Sequence, residues 1–274
     1  MNKTYLFIIS LFMLACCGCG SFKNISSNMQ QRDTLVIMSY NIENFFHVDD
    51  DPLKNDEDFT PEGSNHWTPK RMEEKAERIK KVIMASNGWN YPAIVGLCEI
   101  EGQKAIDYLL SSSGLSQVGY KGLCHPTPDK RGVAVAMLYD EERVKLLSSQ
   151  AICVSIPDTA FFTRDVLYAK VEFDKDTFHI FVNHWPSKYG GANETIWKRE
   201  HVAKVTRNFC DSIRGGNPDA NIVLMGDFND GAEAPAITQY FGARSNGTHT
   251  SISRATPKSH HTNTEANGAL SIIS

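Results

Sequence analysis

The chain has 274 residues, with 28 Lys and Arg against 32 Asp and Glu, a formal net charge of −4 that excludes a polycationic nucleic-acid coat. Hydrophobic residues make up 41% and there are 19 glycines, a globular composition that excludes a disordered, collagen-like or membrane-embedded chain. No Pro- or Ser-rich linker divides the middle, so one folded domain is expected.

In chain order, a basic start at Lys3 leads into an apolar run from Tyr5 to Ala15, followed by Cys16, Cys17 and Cys19 among small residues. The run is shorter than the ~20 residues a spanning helix needs. Residues 1–19 therefore read as a secretory signal. Leu14-Ala15 ahead of the cysteines resembles the lipobox of bacterial lipoproteins, which implies acylation of one of the three and a lipid anchor in a bacterial cell envelope, on its periplasmic side or surface. Ordinary secretion is the alternative. Residues 20–32, polar and rich in Ser, Asn and Gln, read as a tether, and residues 33–243 as the domain.

Within the domain, β-rich runs are expected at 34–40, 93–98, 133–139, 143–156, 166–173, 178–182 and 221–225. A helix is expected over 69–87, with Thr68 as cap, Pro69 in the first turn and Ile79, Val82 and Ile83 on one stripe. Others are expected over 103–111 and 193–213. Strands joined both by hairpins and by helical crossovers predict an α+β fold of mixed sheets covered by helices. The acidic clusters 49–51 and 56–58 lack the spacing of an EF-hand, since Leu53 falls where a ligand is needed, and read as a solvated loop. Cys98, Cys124, Cys153 and Cys210 form no Cys-x-x-Cys pair, so no disulfide framework is expected.

Residues with useful chemistry stand where strands end: Asn41, Glu99, His184, and Asp227 with Asn229. Loops at strand ends are where function is mounted on a rigid sheet. Oxygen donors without a cysteine or multi-histidine cluster point to a hard cation such as Mg²⁺, for which Glu99 and Asp227 would suffice. Each also has a structural alternative: Asn41 capping a turn, Glu99 capping a helix, Asp227 and Asn229 making an Asx-turn, His184 satisfied within the core.

Six segments in order then resemble the motifs of the endonuclease/exonuclease/phosphatase superfamily. They are Met38-Ser-Tyr-Asn-Ile-Glu-Asn44, Val95-Gly-Leu-Cys-Glu-Ile-Glu101, Asp129-Lys-Arg-Gly-Val-Ala-Val135, Phe162-Thr-Arg-Asp165, Val182-Asn-His-Trp-Pro-Ser187 and Leu224-Met-Gly-Asp-Phe-Asn-Asp230. The resemblance implies a four-layer α/β/β/α sandwich of two mixed β-sheets flanked by helices, similar to deoxyribonuclease I. It also implies a divalent-metal phosphoesterase using Mg²⁺, with Mn²⁺ as a substitute. Carried over, Asn41 and Glu99 hold the metal, Asp227 and Asn229 position the attacking water, and His184 contacts the scissile phosphate or protonates the leaving oxygen. Asp129, Arg131 and Arg164 border the substrate, and Lys188 is a further phosphate-binding candidate.

The superfamily's last motif, an Asp-His pair on a late strand, is absent from this chain. Residues 244–274 read as an aberrant tail, so the last strands are expected to be missing. If His261 to Ile273 are written with permitted codons and read from the third base, the result is YKYRGEWSFIDH, which ends in the absent pair; a frame shift near residues 244 to 250 accounts for it. The expected partners are a phosphate-ester substrate, with nucleic acid among the candidates, and a membrane reached through the lipid anchor. The chain itself is expected to be a monomer. The competing reading is a catalytically impaired, exported binding protein that keeps the sandwich; a sugar-binding sandwich would leave Gly226-Asp227-Phe228-Asn229 unexplained.

Overall fold

A computed structural model of the chain describes residues 34–88, 91–156, 161–243 and 272–273. The signal, the tether and the tail apart from Ile272 and Ile273 lie outside the described residues. No described helix is long and apolar enough to cross a membrane.

Two mixed sheets lie face to face. The first has the order β1-β2-β4-β3, built from β1 (Ile37–Phe45), β2 (Ile94–Ile100), β3 (Tyr120–Cys124) and β4 (Ala134–Asp140). The second has the order β5-β6-β7-β8-β9, from β5 (Lys145–Ile152), β6 (Val166–Phe173), β7 (Asp176–His184), β8 (Asn221–Asp227) and β9 (Ile272–Ile273). Alternation along the strands separates three apolar layers. In β2, Ile94 and Cys98 join Met137, Leu167, Ile180 and Met225 between the sheets. Val95 and Leu97 point the other way, to α1 (Pro69–Ala85) and α2 (Gly102–Ser113). Phe181 and Leu224 meet α3 (Ala192–Gly216) on the outer side of the second sheet. The expected α/β/β/α sandwich is the observed architecture.

β1 pairs with β2 in parallel across α1, and β7 with β8 in parallel across α3, whereas the other neighbours are antiparallel. Parallel strands require such crossovers. The carboxyl ends of β2, β7 and β8 carry Glu99, His184 and Asp227, and Asn41, midway along β1, pairs with Cys98 beside Glu99.

α1 begins where expected, with Thr68 Oγ1 accepting the Arg71 N–H and Pro69 at the first position. It buries Met72, Ala76, Ile79 and Ile83, but Val82 faces solvent, because a residue three beyond Ile79 sits at the edge of the stripe already filled by Ile83. β3 was not expected: only Tyr120 of its five residues is buried, and the strand is defined by pairing with β4. The predicted loss of the last strands is corrected in part, since Ile272 and Ile273 pair with Leu224 and Val223 of β8.

The acidic loop is not solvated throughout. Asp56 is buried, with Oδ2 accepting the Asp51 N–H, and it faces Glu101, which accepts the His47 N–H. Burial pushes the Glu101 carboxyl up, the His47 bond opposes this, and neighbouring Asp56 adds to it, leaving the group at about 8. A carboxyl raised from 4.5 contributes stability below that value and loses it as pH climbs through about 8. Glu101→Gln is accordingly expected to flatten the fall in thermal midpoint between about pH 5 and 9; parallel profiles for the two proteins would refute this.

Candidate metal centre

Two bulges aim the ligands. Between Asn41 and Phe45 the register of β1 on β2 slips, and between Cys98 and Ile100 β2 slips on β4. The extra residue in β2 is Glu99, whose φ of +66° turns its side chain out of the alternating pattern; Glu43, Asn44 and Asn229 also have positive φ. Gly226 admits the close approach of β8 to β7, since a Cβ there would lie 1.9 Å from the Asn183 carbonyl oxygen, and its φ is +134°. Cys98 Sγ closes the gap between the sheets by donating to the same carbonyl, 3.2 Å away.

Ligating atoms of Glu99, His184 and Asp227 lie within 4.8 Å of one another. Asn41 Nδ2 donates to Glu99 Oε1 at 2.9 Å and to Asp227 Oδ2 at 3.0 Å. Its Oδ1 accepts the Glu43 N–H, and because a backbone N–H only donates, this fixes which way the amide points. Asn41 therefore gathers the two carboxylates rather than turning its oxygen between them. Asp227 Oδ1 accepts the Asn229 N–H at 2.9 Å, and Asn229 Nδ2 donates to the Trp185 carbonyl at 2.9 Å. All five strand-end candidates thus share one rim.

His184 Nε2 stands 3.9 Å from Glu99 Oε1 and 2.8 Å from Arg164 Nη2. A guanidinium has only donors, so Nε2 accepts and the ring proton belongs on Nδ1, a buried atom with no hydrogen-bond partner among the described residues. Burial, with the Arg164 and Arg131 charges, holds the imidazole well below its ordinary range, so it is neutral near pH 7. Arg164 is itself buried, its other arm on Asp129 Oδ2 at 3.2 Å. Arg131 is the exposed member of the trio: it contacts Asp129 Oδ1 at 3.4 Å with its side chain 55% exposed. Two carboxylates and an imidazole in this span suit a divalent cation.

Sequence reasoning missed several neighbours. Lys75 of α1 donates to the Glu43 carbonyl oxygen, and burial lowers its pKa against the pull of Glu43 and Glu99. Arg199 of α3, fully buried, bonds Asp230 Oδ2 at 3.0 Å and also reaches Pro186 O, Thr195 Oγ1 and Ala192 O. Adjacency of Asp230 to Asn229 was the one available signal; nothing in a helix pattern marks a buried arginine.

A model of the Endonuclease/Exonuclease/phosphatase family matches residues 36–255. Among solved structures, the chain is similar to the human nocturnin catalytic domain with bound sulfate anion (17% identity, TM-score 0.50), over 66% of this chain and 65% of that one. It is also similar to a mannosyl-6-phosphatase from Bacteroides thetaiotaomicron (15% identity, TM-score 0.53; 76% and 70% covered). An endonuclease/exonuclease/phosphatase family protein from the same organism matches at 14% identity and a TM-score of 0.50, over 74% of this chain and 66% of that one. At such identities the likeness is one of fold. No curated protein matches the sequence significantly.

Proposed function

Because the chain belongs to the endonuclease/exonuclease/phosphatase family, we propose that it is a Mg²⁺-dependent phosphoesterase, with Mn²⁺ as a substitute, hydrolysing phosphate esters by in-line attack of water. The observation that carries this reading is the convergence of Glu99, His184 and Asp227 at the ends of strands from both sheets. Glu99 and Asp227 would hold the ion, which when bound would polarise the phosphoryl group; the Nε2 lone pair of His184, already accepting from Arg164, would serve the ion only in place of that bond.

The protein's own groups supply the rest. Asn41 keeps the two like-charged carboxylates together by donating to both. Asp227, with one oxygen on the Asn229 N–H and the other on Asn41, is fixed to orient and deprotonate the attacking water. Asn229 and Asn41 set its geometry. His184, a neutral ring whose Nε2 accepts from Arg164 and stands 3.9 Å from Glu99 Oε1, holds that guanidinium at the site. Arg131, beside buried Asp129, is the cation best exposed to a substrate's remaining charge. A nuclease or general phosphodiesterase is favoured over a lipid or inositol phosphatase.

The test is hydrolysis of bis(p-nitrophenyl) phosphate by the purified chain. Turnover is expected to vanish with EDTA and return with Mg²⁺ or Mn²⁺. No metal-dependent turnover would give precedence to the impaired, exported binding protein, whose basis is the missing Asp-His pair. We also propose export and lipid anchoring through one of Cys16, Cys17 and Cys19, and a monomeric state. Palmitate labelling that persists after all three are changed to Ser would rule the anchor out.

A further inference from the structure

The loop that leaves β7 just after His184 carries two side chains that the proposed chemistry does not use. Lys188 Nζ lies 3.1 Å from Asp230 Oδ1, and its side chain is half exposed. Asp230 does not depend on it, because buried Arg199 holds the other oxygen at 3.0 Å. Burial acts to raise the Asp230 carboxyl, but the bonds from Arg199 and Lys188 outweigh it and hold the group below its usual range. Arg199 alone would keep Asp230 paired, so half-exposed Lys188 could turn to another anion without leaving the carboxylate uncompensated.

Its neighbour Tyr189 is 93% exposed, yet its backbone is fixed. The Tyr189 N–H donates to Ser187 Oγ at 3.4 Å, and the Gly191 N–H to the Lys188 carbonyl at 3.0 Å. Gly190 and Gly191 take φ of +86° and +116°, a turn that other residues rarely adopt. Upstream, the loop is pinned to the metal centre: Trp185 N donates to Asp227 O, Asn229 to Trp185 O, and Arg199 to Pro186 O. A large ring without a packing partner among the described residues, on a braced backbone, loses little freedom when a ligand covers it.

We infer that the loop from Ser187 to Gly191 is a second recognition point of this site, in which Lys188 binds an anionic oxygen of the ester and Tyr189 stacks on a planar ring attached to it. The inference rests on the phosphoesterase reading for where the phosphoryl group sits, and it narrows the substrate class to phosphate esters bearing an aromatic or nucleobase ring. Stacking on an exposed aromatic is indifferent to the identity of the ring but not to its presence.

Phosphonates test this without turnover, since their C–P bond is not hydrolysed. By calorimetry on the full chain with Mg²⁺, phenylphosphonate is expected to bind about tenfold more tightly than methylphosphonate. Tyr189→Ala should erase that advantage, Tyr189→Phe should keep it, and Lys188→Ala should weaken both ligands alike. Equal affinities for the two ligands, a ring preference that survives Tyr189→Ala, or no binding of either would overturn the inference. A ring preference that depends on Tyr189 in a protein without metal-dependent hydrolysis would instead sink the phosphoesterase reading and leave the loop as a ring-and-anion binding site.

Discussion

Asp227→Asn is expected to lower kcat/KM for a phosphodiester by about a thousandfold, within the span that a positioned general base supplies. The carboxylate sits at the convergence of three functions: it is one of the three ligating groups within 4.8 Å, it accepts the amide of Asn41, and it accepts the N–H of Asn229. Asn keeps the volume but loses the charge and the capacity to take a proton, and its NH₂ must face a donor on one side. Only local rearrangement should follow, so the thermal midpoint should move by a few degrees at most while the rate collapses. Glu99→Gln is expected to act in the same direction. Because both act on one cation, the double variant should be scarcely slower than either single one. A rate that stays within threefold of the parent in Asp227→Asn would remove this residue from the chemistry.

The second large effect is on stability. Arg199→Ala should cost about 3–5 kcal/mol, the range for removing one partner of a buried ion pair. Its guanidinium reaches Asp230, Pro186 O, Thr195 Oγ1 and Ala192 O, so one deletion strips Asp230 of its buried counter-charge, leaving only half-exposed Lys188, and breaks four hydrogen bonds at once. Arg199→Lys should recover only part, because an ammonium does not reproduce the planar fork. Urea unfolding reads the loss. Adding Asp230→Ala to Arg199→Ala should give a total smaller than the sum of the two single losses. A loss under about 1 kcal/mol would show that the cluster does not hold the loops together.

The strand ends were legible because parallel strands joined by helical crossovers bring their carboxyl ends to one side, and a motif at the end of an apolar run inherits that position. That logic reached Asn41, Glu99, His184, Asp227 and Asn229. It did not reach the bulge at Glu99, which depends on register against β4, a long-range property. Nor did it show that Arg164 turns inward, between Asp129 and His184, instead of standing open to substrate as Arg131 does. Asp56 reads as a surface acid by type and by neighbours; its burial follows from the fold of its own loop, which brings the Asp51 N–H to it and sets it against Glu101. β3 escaped because a strand with one buried residue has almost no alternation to detect.

The left-handed backbone at Glu43, Asn44, Glu99 and Asn229 sets heat resistance against catalysis. Each such residue holds strain on the order of 1 kcal/mol that glycine would relieve, though the looser unfolded chain would take part of that gain back. At Glu99 the relief would delete a carboxylate of the candidate metal centre, and at Asn229 the side-chain amide that holds the Trp185 carbonyl. A lineage selected only to survive heat would drift toward glycine at these sites and end as an inert sandwich. Persistence of Glu and Asn at such angles in living descendants would be the mark of a catalytic constraint.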